Sequence, residues 1–182
     1  ILSIIVLSTS LSRAQAATNV SDIEGNRNQQ AIEYLYQNNV ITGYPDGTFR
    51  PKNTVNRAEL LKILVGGKKI TPSVSEYKNC FPDVKNEWFA PYVCYAKSAG
   101  WVQGYPDNTF RPAQDVSKVE AIKMLINSQG FNISEIAQES IFSDVDSQAW
   151  YAPFLKVAQE KGLLEQSSGI YGVASKMTRG EV

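Results

Sequence analysis

The sequence predicts an all-α fold in which three helix–loop–helix repeats pack as one compact unit with pseudo-threefold symmetry. Two sets of acidic residues recur with a spacing of 61 residues: Asp22, Asp83 and Asp144, and then Glu59, Glu120 and Glu181. Two independent strings that share one period over three copies indicate internal repetition. One copy of about 60 residues buries too little surface to be stable alone, so we expect the copies to share a core.

The first helix of each repeat is predicted from its ends and its apolar spacing. In repeat two it begins near Pro91, a residue favoured at the first helical turn, and ends at Gly100, which favours a left-handed cap. Pro153 and Gly162 bound the corresponding helix of repeat three. In repeat one the helix runs from about Asn28 and ends at Asn39.

A turn-rich loop follows, and then a second helix. The loop reads Gly-Tyr-Pro-Asp-Gly-Thr-Phe-Arg-Pro at 43–51, and Gly-Tyr-Pro-Asp-Asn-Thr-Phe-Arg-Pro at 104–112. Pro, Asp and Gly or Asn in this order predict a tight turn. The second helix opens with Asn56, Ser117 or Thr178, each followed three residues later by Glu, which is the capping-box pattern. We expect Gly66-Gly67 and Gly130 to end this helix in repeats one and two.

The predicted boundaries are 17–70, 77–130 and 138–182, with the third repeat truncated at Val182. Residues 1–16 are interpreted as the remnant of a secretory signal, because an apolar run leads to a small-x-small site at Ala14-Gln15-Ala16. The alternative is a membrane anchor, although the apolar run has about half of the roughly 20 residues that a span needs.

The amino-acid composition argues against some classes of function. The chain has 182 residues, 18 Lys or Arg, 18 Asp or Glu and no His, so it has no net charge to attract nucleic acid. An exported chain with two cysteines favours a disulfide between Cys80 and Cys94, with two reduced, buried thiols as the alternative. Without His or a second cysteine pair, no zinc site is expected, and no cofactor is predicted.

The ordered set of motifs resembles the S-layer homology domain. It comprises Phe-x-Asp-Val, the helix entries Trp88-Phe89-Ala90 and Trp150-Tyr151-Ala152, the Gly-Tyr-Pro-Asp loops, and Asn56-Arg57-Ala58-Glu59 with its counterparts. The resemblance covers roughly residues 20–182. It implies a three-pronged helical bundle whose grooves bind secondary cell-wall polymers, commonly with pyruvate-ketal amino sugars. It also implies an exported protein held at the cell surface, with other surface-layer proteins as further partners.

Carried over position by position, the resemblance implies twelve groove residues: Asp22, Gly43, Tyr44, Arg57, Asp83, Trp88, Gly104, Tyr105, Lys118, Asp144, Trp150 and Arg179. The sequence departs from the family pattern in three places. Repeat one lacks the helix-entry Trp, repeat two has Lys118 in place of Arg, and repeat three lacks the Gly-Tyr-Pro-Asp-Gly loop. We therefore expect fewer than three competent grooves.

Three cations at equivalent helix starts suggest how a charged sugar is held. Arg57, Lys118 and Arg179 occupy the first helical position, where the helix dipole disfavours positive charge. A cation beside free helix N–H groups makes a site for an anion, and the planar fork of Arg matches a carboxylate. The structural alternative is that each cation pairs with Asp22, Asp83 or Asp144 and holds the prongs together.

The other residues also have structural interpretations. Trp88 and Trp150 either pack in the core or stack on a sugar ring. Asp46 and Asp107 are expected to form turns, and the three repeated glutamates to cap helices and nothing more.

Three other functions are alternatives to glycan binding. An enzyme is disfavoured because the sequence has no His and no nucleophile motif, although a region beyond Val182 could carry an enzyme that this part anchors. A calcium-dependent docking module is disfavoured because the loops do not supply the alternating oxygen ligands of such a site. A purely structural module that packs in a surface lattice without touching glycan fits the same fold.

Overall fold

The computed structural model describes residues 20–133, 142–164 and 169–182. The five helices of this part are α1 (Gln29–Gln37), α2 (Arg57–Gly67), α3 (Ala90–Ser98), α4 (Lys118–Gln129) and α5 (Ala152–Glu160). The described ranges contain isolated bridges but no strand, so the all-α prediction is confirmed. The expected signal at 1–16 lies outside the described residues. None of the described helices has both the length and the apolar character that a bilayer crossing requires.

Capping boxes begin α2 and α4, as the sequence predicts. The Asn56 side chain accepts from the N–H of Glu59 at 2.9 Å, and the Glu59 carboxylate accepts from the N–H of Asn56 at 3.0 Å. Ser117 and Glu120 form the same reciprocal pair at the start of α4. These bonds satisfy N–H groups that the first turn of a helix otherwise leaves without partners.

Left-handed residues end the chain's shorter helices. Gly100 and Gly162 have φ of +76° and +68°, and Asn39 takes the same conformation with φ of 57°. Gly130 follows α4 with φ of 67°, as expected. The prediction that α2 ends at Gly66-Gly67 is confirmed, because Gly67 is its last residue, although the left-handed residue that follows is Lys69.

A ring of three backbone hydrogen bonds closes the repeats around a pseudo-threefold axis. Val55 donates to Met177 at 3.0 Å, Met177 to Val116 at 2.9 Å, and Val116 back to Val55 at 3.0 Å. These three residues lie 61 apart in sequence and are all buried. A cycle of this kind forms only when all three repeats are present, which confirms the prediction of one compact unit.

A second cycle joins Arg57 and its equivalents Lys118 and Arg179 to the next repeat. The N–H of Arg57 donates to Gln114 at 3.0 Å, and that of Lys118 donates to Ser175 at 2.9 Å. The third bond of the cycle runs from Arg179 to Asn53 at 2.8 Å. The three cations therefore lie at the junctions between repeats.

The hydrophobic core is also shared between repeats. The second helix of one repeat packs on the first helix of the next, so that α2 lies on α3 and α4 lies on α5. Leu61 and Val93 belong to the first of these shared clusters, and Ile126 and Ala158 to the second. Splitting the chain between repeats would expose both faces of such a cluster to water.

A disulfide bond joins two segments of repeat two. Cys80, which precedes the Asp83 string, is joined to Cys94 on α3. Cys94 is buried in the core, so the bond fixes the loop before Phe81 against that helix.

Candidate functional site

Residues of all three repeats line an open crevice of about 180 Å³, which we call the Arg57 crevice. Its walls include Arg57 from repeat one and Trp150 from repeat three. Repeat two contributes residues from its loop and from α4, among them Gly104, Tyr105, Glu120 and Lys123. Four of the predicted site residues, Arg57, Gly104, Tyr105 and Trp150, are thus brought together.

Arg57 forms the floor of the crevice. It is 5% exposed, and its Nε donates to the Phe110 carbonyl at 2.9 Å. Its guanidinium carbon lies 4.7 Å from the ring centres of both Tyr105 and Phe110. Burial lowers the pKa of Arg57, and the nearby Tyr105 and Glu120 oppose that shift. The side chain therefore places a nearly buried positive charge beneath the cavity.

Glu120 neutralises much of that charge. Its Oε1 lies 3.1 Å from Nη1 of Arg57 and accepts from the Tyr105 hydroxyl at 2.9 Å. Its Oε2 accepts from the N–H and hydroxyl of Ser117 at 3.0 and 2.8 Å. Burial acts to raise the pKa of Glu120, but these hydrogen bonds and the Arg57 charge outweigh it and lower the pKa. The expectation that this glutamate only caps its helix is wrong.

Lys123 and Trp150 form the outer wall. The Lys123 ammonium lies 5.2 Å from the centre of the Trp150 ring, within cation–π range. Trp150 is 53% exposed, which rules out the core-packing interpretation. The sequence reasoning missed Lys123, although Lys62 and Lys123 lie 61 residues apart on equivalent helices and could have signalled it.

The same residue types recur between repeats three and one. Nε of Arg179 donates to the Phe49 carbonyl at 2.9 Å, and its Nη2 donates to the Thr42 carbonyl at 3.1 Å. Its guanidinium carbon lies 5.0 Å from the Tyr44 ring centre. On the equivalent helix, the Lys62 ammonium lies 5.5 Å from the centre of the Trp88 ring. Trp88 is 57% exposed, so it too is not a core residue.

The third junction, at Lys118, has a different lining. Nζ of Lys118 pairs with Oε1 of Glu181 at 2.8 Å, with both side chains about a fifth exposed. The cavity beside them measures about 510 Å³ and is walled mainly by apolar residues, including Leu60, Ile122 and Leu125. Arg27 lines it where the other junctions have Trp. The positions at which repeats one and three depart from the family pattern therefore line the same junction, that of Lys118.

The three predicted aspartates hold the loops of their own repeats. Asp22 accepts from the backbone N–H groups of Phe49 at 2.6 Å and Arg50 at 2.7 Å. The same pair of bonds recurs from Phe110 and Arg111 to Asp83, and from Tyr171 and Gly172 to Asp144. Burial acts to raise the pKa of Asp144, but the backbone N–H bonds outweigh it and lower the pKa.

The structural alternative, in which the aspartates pair with the three cations, is wrong. Arg57 and Lys118 pair with Glu120 and Glu181 instead, each from the next repeat. The aspartate oxygens already accept N–H groups of the loops, so they are poorly placed to contact a ligand.

The predicted glycines are explained by close packing. A Cβ on Gly104 would lie 2.6 Å from Cε1 of Phe81 and 2.8 Å from the Thr109 carbonyl oxygen, and φ of Gly104 is +83°. A Cβ on Gly43 would lie 2.7 Å from Cγ1 of Val20. Each glycine lets its loop lie directly on an apolar side chain.

The turn aspartates also anchor an arginine. Oδ1 of Asp107 accepts from the N–H and hydroxyl of Thr109, and its Oδ2 pairs with Arg111 at 2.9 Å. The guanidinium carbons of Arg111 and Arg57 lie 4.0 and 4.7 Å from the centre of the Tyr105 ring. Two cations thus contact the Tyr105 ring and hold it at the crevice.

Comparison with known proteins places these features in a family. A model of the S-layer homology domain matches residues 21–61 and 81–122. The chain is 33% identical to a cellulosome-anchoring protein of Acetivibrio thermocellus over 102 residues, which is 54% of this chain and 23% of that protein. It is 31% identical to an uncharacterized cell wall amidase of Bacillus anthracis over 106 residues, 57% of this chain and 19% of that protein.

A third relative is S-layer protein EA1 of Bacillus anthracis. It is 31% identical over 99 residues, which is 54% of this chain and 11% of that protein. The chain thus spans less than a quarter of each of these three relatives. The matched segments contain the Asp, loop and capping-box motifs of repeats one and two, and these two repeats are therefore S-layer homology domains.

Proposed function

We propose that this chain anchors an exported protein to the cell envelope by binding an acidic cell-wall polysaccharide in the Arg57 crevice. The single observation that carries the proposal is an open crevice that combines a cation with an exposed aromatic ring. Lys123 and Trp150 supply these two groups. The match of repeats one and two to the S-layer homology domain supports the same function.

Trp150 and Lys123 can each contact a different part of an acidic sugar. The Trp150 ring offers an apolar surface for the C–H face of a pyranose, while the Lys123 ammonium faces an acidic substituent as a compact charge. Lys123 is partly exposed, whereas Arg57 is buried. Arg57 therefore supports the site from beneath, and Lys123 makes the first contact with the anion.

Arg57 therefore has a different role from the one that the sequence suggested, in which its guanidinium fork holds the carboxylate of the ligand. Two of its nitrogens already contact the Phe110 carbonyl and Glu120, so its fork is not open to a ligand in both positions. Among the residues that the structure describes, Lys123 has no carboxylate within 4.0 Å, so its charge remains available to a ligand in the crevice. We therefore assign the contact with the acid group to Lys123 and the positioning of Tyr105 and Glu120 to Arg57.

A non-enzymatic role is part of the proposal. One relative is named a cell wall amidase, but this chain matches only 19% of that protein. In the described ranges, no group of three or more Asp, Glu or Cys side chains is arranged to hold a metal ion. Turnover of purified wall by the chain would contradict this part of the proposal.

Sedimentation with protein-free wall sacculi tests the function. The wild-type chain should pellet with the sacculi, and Lys123→Gln and Trp150→Ala should each weaken retention about tenfold, as expected for loss of a central contact. Lys156→Gln, which removes an exposed lysine of α5 away from the crevice, is the matched control. A wild-type chain that stays in the supernatant would favour a lattice-packing role without glycan.

A further inference from the structure

We propose that the disulfide between Cys80 and Cys94 positions the loop at 104–112 beside the Arg57 crevice, so that wall binding depends on the oxidised bond. Phe81 is the residue that links the disulfide to the loop. The inference concerns the regulation of the crevice and rests on the proposed function. It follows from a continuous set of contacts that leads from the disulfide to residues lining the crevice.

Phe81 is held in place on the side of the disulfide. It follows Cys80 directly in the chain and is 4% exposed. Cys94, to which Cys80 is joined, lies on α3 and is itself buried. From the same helix, the Lys97 ammonium donates to the Cys80 carbonyl and lies 4.1 Å from the centre of the Phe81 ring. Two attachments to α3, one of them covalent, therefore fix the position of Phe81.

The other side of Phe81 supports the loop. Its ring stacks on that of Phe110, with 5.5 Å between the ring centres and 29° between the ring planes. A Cβ on Gly104 would lie 2.6 Å from Cε1 of Phe81, so the loop backbone lies directly on the ring. Gly104 and its neighbour Tyr105 line the crevice. The Phe110 carbonyl accepts from Nε of Arg57 at 2.9 Å. A shift of Phe81 would therefore move two parts of the crevice wall.

The disulfide is particular to repeat two. The residues equivalent to Cys94 in repeats one and three are Glu33 and Leu155. In repeat one, Val20 lies beneath Gly43, where a Cβ would lie 2.7 Å from its Cγ1. The first repeat thus has a loop supported by an apolar side chain without a covalent attachment. That loop provides an internal control for the effect of the disulfide.

A dithiol can open the bond, because Cys80 is partly exposed although Cys94 is buried. A thiolate of dithiothreitol attacks Sγ of Cys80, and its second thiol then resolves the mixed disulfide. Two electrons pass to the protein, the reagent becomes a cyclic disulfide, and its two thiol protons end on the two cysteine sulfurs. Phe81 is then held by noncovalent contacts alone, and the loop opens more readily.

Amide hydrogen exchange tests the positioning role without any ligand. The N–H of Tyr105 donates to the Thr109 carbonyl at 2.8 Å, and the equivalent N–H of Tyr44 donates to the Thr48 carbonyl at 2.7 Å. Reduction should speed exchange at Tyr105 about tenfold and leave Tyr44 unchanged, because loss of a local attachment raises local opening. Equal acceleration at both amides would show a general loss of stability and would overturn the inference.

Two variants identify the cause of this change. Cys80→Ala combined with Cys94→Ala should show fast exchange at Tyr105 with or without dithiothreitol, because the chain has no other cysteine. Phe81→Leu should speed this exchange about fivefold in the oxidised protein and add little in the cysteine-free variant, because the two changes act through one contact. Additive effects would contradict the role of Phe81 as the link.

Sedimentation with sacculi separates this inference from the proposed function. The oxidised wild-type chain should be retained about fivefold more strongly than the reduced chain, because a preorganised loop loses less freedom on binding. The cysteine-free variant should behave like the reduced chain. Equal retention of oxidised and reduced chains would overturn the dependence on the bond. A wild-type chain that stays in the supernatant contradicts wall anchoring, and the exchange at Tyr105 and Tyr44 then decides the positioning role by itself.

Discussion

The Arg57 and Lys118 junctions occupy equivalent positions but differ in what surrounds the cation. At the first, a nearly buried arginine contacts a carbonyl, a carboxylate and two aromatic rings. At the second, a partly exposed lysine contacts Glu181 beside a largely apolar cavity. Backbone closure is therefore separable from the lining of each junction. The hydrogen-bond ring is kept in all three repeats, while the loop and helix-entry residues determine which side chains line each junction.

The largest expected effect concerns the buried charge of Arg57. Glu120→Gln keeps a residue suited to the capping box but removes the counter-charge, and we expect the free energy of unfolding to fall by about 2–3 kcal/mol. Glu181→Gln removes the partner of the more exposed Lys118, and we expect a loss of about 1 kcal/mol or less. Urea unfolding of both variants measures the difference. Equal losses would mean that burial of Arg57 does not distinguish the two junctions.

Wall retention should differ next most strongly. Arg57→Ala removes the support beneath Tyr105 and Glu120, and we expect retention on sacculi to weaken about tenfold, the loss that corresponds to about 1.4 kcal/mol. Lys118→Ala should change retention less than twofold, because its cavity lacks the lysine–tryptophan wall. Urea unfolding of each variant controls for loss of the fold. Equal, negligible effects of the two substitutions would contradict a supporting role for Arg57.

Acid should weaken the Arg57 junction through Glu120. The folded-state pKa of Glu120 lies below its usual value because hydrogen bonds and the Arg57 charge outweigh the opposing effect of burial. The stability that this carboxylate contributes is therefore fully present above the unfolded pKa of about 4.3. It is lost as the pH falls through the lower, folded-state pKa.

Urea unfolding from pH 7 to pH 3 measures this dependence. Glu120→Gln has no carboxyl at this position to protonate, so its stability should fall less steeply than that of the wild type. Parallel curves for the two proteins would show that Glu120 does not contribute to acid sensitivity.

The smallest effect is expected in the exposed turns. The Asp46–Arg50 and Asp107–Arg111 pairs are about half exposed, and such pairs contribute about 0–1 kcal/mol. Hydrogen bonds from Thr48 and Arg50 lower the pKa of Asp46 to about 2, so the pair persists in mild acid. Asp107→Ala should shift the unfolding midpoint only slightly. A loss as large as that of Glu120→Gln would show that the loop depends on this exposed turn.

Local signals in the sequence predicted much of the fold. The 61-residue period, the capping boxes at Asn56 and Ser117, and the left-handed cap at Gly100 each depend on residues close together in the chain. The tertiary partners were harder to predict. That Arg57 pairs with Glu120 of the next repeat, rather than with an aspartate, follows from how the repeats close around the axis.

The sequence predicted the candidate site only in part, because the site also depends on tertiary contacts between repeats. Residue identity indicated Arg57, Tyr105 and Trp150, but not that one residue from each repeat meets in one crevice. Lys123 was missed because a lone lysine on a helix is usually a solvated surface residue. Its position beside Trp150 is visible only in three dimensions.

Recognition of the acid groups of a wall polymer by the crevice can be measured directly. The wild-type chain is titrated with purified wall polymer before and after chemical removal of its acidic substituents. Binding should weaken at least tenfold on removal, and Lys123→Gln should lose most of this difference. Equal affinity for the native and the stripped polymer would contradict it.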